Sequence, residues 1–278
     1  MNISYPTKEK VEEFLKDIFH KTDIRLNGPD NKLWTIAEAY SKDKKDQYGQ
    51  LDLGIKEKKI SGIDIPILLG DGKKPIVAIV AQDPYRNEKD VLFNEIDKSK
   101  TIIGTPFAFH YEEEAYPKTK VYRNIVREII DMEYDVYLTD VHKIYSNPER
   151  KYAKGEKQKE KELLLEEINE LSPNLKLVVG FGGEAYTYIK KIKDSISLLH
   201  SISLLHPSQS NWDHWRLWIY EQAYNKKKSY KINWEKYANQ LAISSRDSMF
   251  GSENKDNIEN IISDIILDII QQELKEKE

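Results

Sequence analysis

The sequence predicts an α/β protein: a three-layer α/β/α fold with a central, mainly parallel four-stranded sheet, N-terminal helices and a C-terminal helical tail. Three observations predict it. Four short apolar runs, 75–81, 135–141, 175–182 and 201–208, are bounded by turn residues, as strands buried on both faces are. Stretches of helical periodicity separate them, and that alternation builds a parallel sheet covered on both sides. Polar clusters at 82–86, 139–143 and 206–211 each follow a predicted strand, at the carboxyl ends where such sheets bind ligands.

The elements follow in chain order. Residues 7–20 read as an amphipathic helix, with Thr7 as N-cap and Val11, Phe14, Leu15 and Ile18 on one face. Residues 33–40 read as a second, shorter helix. The first strand, 75–81, carries Ile76, Val77, Ile79 and Val80. Residues 119–132 repeat apolar positions at Val121, Ile125 and Ile129, a helical spacing. The strand "DVYLTDV" (135–141) comes next, then a charged helix at 156–171 with one leucine-rich face. "LKLVVGFG" (175–182) runs into a glycine turn and a helix over 183–192. "SISLLHPS" (201–208) is the fourth strand.

Residues 244–257 are polar and turn-prone and read as a linker. Beyond them Ile258, Ile262, Ile265 and Ile269 alternate spacings of four and three, widened by Ile261, Ile266 and Ile270. A helix so apolar on one side must cover something. Docking on the parent domain is one reading; self-association or partner binding through 258–274 is the other. The expected organisation is a helical extension over 1–70, an α/β domain over 71–243, and a linker with its helix over 244–278.

Bulk composition narrows the function. The chain has 278 residues, 39% hydrophobic and 32% charged, enough apolar material for a substantial core. It has no cysteine, which excludes disulfides, thiolate zinc sites and iron–sulfur clusters. No apolar signal core or bilayer-length stretch stands out, so a cytoplasmic protein without membrane partners is expected. A net charge of -4 argues against a general nucleic-acid coat, but binding follows local potential. Two stretches, 142–161 and 224–237, interleave lysine with tyrosine or tryptophan. They read either as solvated faces or as a basic surface for nucleic acid, with Lys143 at the start of the first.

The segment "AQDPYRN" (81–87), together with "HPSQSN" (206–211), resembles the uracil-DNA glycosylase superfamily, whose two motifs are GQDPYH and HPSPLS. Between them "GTPFAF" (104–109) is similar to the family's glycine-x-x-phenylalanine segment, and 135–141 to the strand ending in its base-reading asparagine. The resemblance covers roughly 75–215, in matching order. It implies a metal-free, cofactor-free DNA glycosylase. Such an enzyme flips a pyrimidine nucleotide out of the stack, hydrolyses its N-glycosidic bond and leaves an abasic site.

The resemblance also assigns roles. Asp83 would stabilise positive charge on the sugar and orient water. His206 would donate to the base O2 as negative charge develops there, a kind of contact worth about 3–4 kcal/mol. Phe107 would stack on the base, for about 1–3 kcal/mol. Gln82 would line the O2 side, and Tyr85 would restrict bulk at C5. Ser208 would give a hydroxyl or amide donor to a DNA phosphate.

Three departures from the pattern carry information. The family's asparagine aligns with Asp140. A carboxylate accepts from the 4-amino group of cytosine and, when protonated, can also donate to N3, so the pocket is expected to favour a cytosine-type base over uracil. A one-residue slip would make Thr139 the reader. Arg86 replaces the motif's histidine and can clamp a phosphate. Ser210 replaces the leucine that fills the space left by the flipped base; Gln209 or Trp212 would fill it, or the DNA would be single-stranded. The segment 86–103 is long and charged, placed to reshape the pocket mouth. The expected role is repair or defence against foreign DNA. The reading from another class is an inactive module of the same fold that binds nucleic acid or a protein.

Overall fold

The computed structural model describes residues 60–64, 66–70, 73–82, 102–104, 106–108, 119–142, 144–146, 162, 164–165, 167–169, 171–196, 199–208, 211–224, 228–247 and 254–276. The predicted helices at 7–20 and 33–40, most of 86–103, and the site residues Asp83, Tyr85, Arg86, Lys143, Gln209 and Ser210 lie outside the described residues.

The fold is α/β with three layers, as the alternation of elements predicts. Eight strands are described: β1 (Ile60–Asp64), β2 (Ile67–Leu69), β3 (Ile76–Ala81), β4 (Ile102–Gly104), β5 (Asp135–Asp140), β6 (Ile144–Ser146), β7 (Leu175–Phe181) and β8 (Ser201–Leu204). Labelled helices are α1 (Lys120–Asp131), α2 (Gly183–Ser195), α3 (Trp212–Tyr224), α4 (Trp234–Asp247) and α5 (Asn254–Lys275). The described residues between 162 and 171 are also helical.

The main sheet has five strands in the order β2-β5-β3-β7-β8, one more than expected. The four predicted strands are all present, and β3 pairs in parallel with β5 and β7, as β7 does with β8. The extra strand, β2, runs antiparallel to β5 at the edge. It lies inside the segment expected to be a helical extension, so the sheet begins before residue 71. Three residues are too short a run to display a period. A smaller sheet, β4-β1-β6, sits apart from the main one.

Alternation along the strands sorts side chains into two cores. Val77, Ile79, Val136, Leu138, Val179, Phe181, Ile202 and Leu204 face α1, α3, α4 and α5. Ala78, Val80, Tyr137, Val141 and Val178 face α2 and the 162–171 helix, through Leu164, Ile168, Ala185 and Ile189. The isoleucine stripe of α5 packs on α1 and α4, with Ile262, Ile265, Ile266, Ile269 and Ile270 fully buried. That is the docking alternative. The expected linker is shorter than read, because α4 runs to Asp247 and α5 starts at Asn254.

The chain leaves β3 for β5 on one side and returns to β7 on the other. At such a reversal the loops diverge, and a crevice opens beyond the strand ends. Gln82 stands there, at the end of β3.

Candidate functional site

The site is assembled from the strand ends inward. β3 and β5 end in register, Ala81 beside Asp140, and the Val141 and His142 amides donate to the Ala81 and Gln82 carbonyls at 2.8 and 3.0 Å. This locks the Gln82 backbone to the end of β5. β7 ends at Phe181 and turns through Gly182, whose φ of 91° and ψ of 169° suit glycine alone. A methyl group placed there would lie 3.8 Å from Gln82 Oε1 and 3.8 Å from His206 Cβ. Gln82 and His206, distant along the chain, thus converge on one glycine turn.

His206 follows β8 and is held from several directions. The Ser208 amide donates to Nδ1 at 3.3 Å, and the Tyr122 hydroxyl lies 3.0 Å from Nε2 and 3.2 Å from Nδ1. The His206 carbonyl accepts from Trp215 Nε1 at 3.2 Å, which fixes the backbone on α3. Burial lowers the imidazole pKa from its ordinary value to about 4. At neutral pH the ring is therefore uncharged. An amide N–H can only donate, so Nδ1 supplies a lone pair and the ring proton belongs on Nε2.

Phe107 lies in a short 3-10 turn, Pro106–Ala108, with φ at 56°. A side-chain-bearing residue in this left-handed region costs about 1–2 kcal/mol. Such backbone strain is found where the position of a side chain matters more than local comfort. The Phe107 ring sits 4.4 Å from the Tyr122 ring, which stands edge-on to both Phe181 and His206. Asp140 is buried at the end of β5, and its charge, after burial itself, raises the Tyr122 pKa well above its ordinary value. The phenol stays protonated.

Of the residues predicted from sequence, Gln82, Phe107, Asp140 and His206 thus surround the Tyr122–Gly182 region. The 139–143 cluster is split by the pleat. Asp140 is on the α1 side, while Thr139 faces the opposite layer and donates to Glu167 at 2.7 Å. His142 also serves that layer, paired with Glu184 at 3.1 Å and edge-on to Tyr188. The alternative reader Thr139 is therefore turned away from His206.

The 206–211 loop differs from expectation in two ways. The Ser208 amide, one of the two expected phosphate donors, is spent on His206. The Ser208 hydroxyl oxygen accepts from Asn211 Nδ2 at 3.0 Å, which closes the turn. Trp212 packs against the main core, so a wedge role would require it to leave that contact. Of the second lysine-rich stretch, Trp234 and Tyr237 are core residues, and Lys228 and Lys231 approach Glu235 and Glu276 at 3.7 and 3.6 Å. Among the described residues of that stretch, exposed lysines lie over a packed interior.

Tyr122 was not predicted. It lies on the apolar stripe of α1, where an aromatic reads as core; its polar tip was the available signal. Beside the Gly182 turn a groove of about 470 Å³ opens between α2 and α3, floored by Leu204 and Leu205 and flanked by exposed Tyr186 and Leu217. Among the described residues no group of three or more His, Asp or Glu side chains is placed to hold a metal ion, and no helix is long and apolar enough to cross a membrane. Comparison with protein-family models and with curated proteins finds no match for this chain.

Proposed function

We propose that this protein is a DNA glycosylase that hydrolyses the N-glycosidic bond of an everted pyrimidine nucleotide. One observation carries the reading: Gln82, Phe107, Asp140 and His206, each singled out from a different part of the sequence, gather at the carboxyl ends of β3, β5 and β8 around Tyr122 and Gly182.

The chemistry follows from the groups. As the bond from C1′ to the base nitrogen lengthens, its electron pair moves into the base and positive charge builds on the sugar. A neutral imidazole with its proton on Nε2 donates to the base oxygen that gains charge. A cationic imidazole would be the stronger acid, but a ring with a pKa near 4 is not protonated at neutral pH. Its contribution is a pre-aimed dipole in a dry site, where such donors are worth most. Asp83 would face the sugar cation in this reading and direct water to C1′; as the new C–O bond forms, the water passes a proton to that carboxylate, and the departed base anion takes up a proton from solvent. Phe107 stacks on the base.

Asp140 gives the reading its substrate. A buried carboxylate offers acceptors, which suits the 4-amino group of a cytosine-type base, plain or modified, better than the O4 of uracil. The role would be repair or attack on foreign DNA.

The test is incubation with single- and double-stranded oligonucleotides carrying uracil, cytosine or 5-substituted cytosines, followed by alkaline cleavage. Strand breaks in the cytosine-type arms, absent with Asp83→Ala, are the expected result. DNA binding without abasic sites in any arm would favour the inactive binding module instead.

A further inference from the structure

We infer that Tyr122 is a positioning residue for His206, bracing the imidazole so that its Nε2–H points at the departing base; the inference rests on the glycosylase reading above. The Tyr122 hydroxyl oxygen is almost equidistant from the two ring nitrogens, 3.0 Å from Nε2 and 3.2 Å from Nδ1. An atom on the Nε2–H axis would lie much farther from Nδ1, because the two nitrogens direct their bonds away from each other. The phenol oxygen is therefore off that axis. It supports the ring from the side and leaves the Nε2–H direction open.

The brace is itself held. Tyr122 is buried on α1, with Phe107 at 4.4 Å and Phe181 at 6.0 Å between ring centroids. Tyr122 touches both Phe107 and His206, so the proposed stacking ring and donor share one neighbour. Ser208 N–H fixes which nitrogen carries the proton; Tyr122 fixes where the ring stands. Orientation of this kind matters because misplacing a catalytic group by about 1 Å can cost on the order of 100-fold in rate.

Tyr122→Phe removes the hydroxyl and keeps the ring. In single-turnover assays on the preferred oligonucleotide, base release should fall about 10- to 100-fold, with DNA affinity within about twofold. In a His206→Ala background the same change should alter the rate less than about twofold, because a residue acting through His206 has nothing left to act on. An unchanged rate for Tyr122→Phe in the otherwise intact protein, or an equal loss in both backgrounds, would overturn the inference alone. A native protein inactive on every pyrimidine tested would overturn the glycosylase reading, and this inference with it. Nitrogen-15 spectra of the unmutated protein give a further check that needs no variant to fold. His206 should appear with Nε2 protonated and Nδ1 as acceptor, and the opposite tautomer would reject the brace.

Discussion

Thr139 and Asp140 are neighbours in β5 and face opposite layers of the fold. Thr139 donates to Glu167 in the α2 layer at 2.7 Å, while Asp140 sits within electrostatic reach of Tyr122 in the α1 layer. A strand cannot turn both side chains to one face. If Asp140 reads the base as proposed, base choice and support of the sheet are separable at adjacent positions.

Asp140→Asn should move base preference toward uracil, because an amide offers a donor to O4 and an acceptor to N3–H. Thr139→Val should leave preference unchanged and destabilise the fold by about 1–3 kcal/mol, since buried Glu167 loses that donor. Oligonucleotide release assays read the first outcome and chemical denaturation the second. A change of preference in Thr139→Val, with none in Asp140→Asn, would reverse the assignment.

The same pleat explains what the sequence could and could not reveal. Runs such as Ile76–Ala81 and residues 177–181 of β7 lack any charged residue because both faces are covered there, so they stand out in any reading. Strand β2 escapes because three residues between Pro66 and Gly70 have no period to detect. Gln82, Asp140 and His206 were legible as polar groups ending apolar runs. Tyr122 was not, because its ring obeys the helical period of α1 and only its hydroxyl serves the site. His142, inside the 139–143 polar cluster, adjoins the site in sequence but reaches across to Glu184 in the other layer.

Stability should respond to His206 below neutral pH. Its folded pKa, about 4, lies under the ordinary value of 6.5. Between these values the unfolded chain binds a proton that the folded chain refuses. Stability is therefore complete above about pH 6.5 and falls as pH drops toward 4, by up to about 1.4 kcal/mol per pH unit from this residue. His206→Gln, which cannot titrate, should flatten that part of the profile when denaturant midpoints are measured across pH 4–7. Equal slopes for the two proteins would contradict burial of a neutral ring.

Phe107 combines a strained backbone with the ring proposed to stack on the base, and two substitutions separate them. Phe107→Gly removes both the ring and the penalty of a φ at 56°, whereas Phe107→Ala removes only the ring. The glycine variant should be more stable than the alanine one by about 1 kcal/mol, subject to glycine's larger loss of chain entropy. Both should release base much more slowly than the native protein, because stacking is lost in each. Thermal melts compared with release rates decide the point; an alanine variant as stable as glycine would mean the strain is absorbed elsewhere.

The C-terminal helix α5 is part of the main core. The isoleucine face of α5 is consumed inside the molecule, and polar contacts pin it as well: Tyr237 donates to Asp268 at 2.6 Å, and His200 approaches Glu273 at 2.9 Å. A helix whose apolar face seals its own domain contributes to unimolecular stability, whereas a pairing helix contributes an amount that rises with the logarithm of protein concentration. Ile265→Ala, at a fully buried position against α1 and α4, should cost about 2–5 kcal/mol. The loss should be the same at every protein concentration, measured as the denaturation midpoint over a hundredfold dilution series. A midpoint that drops on dilution in the native protein, with the drop abolished in a variant of the exposed face of α5, would show that this helix also joins copies of the chain.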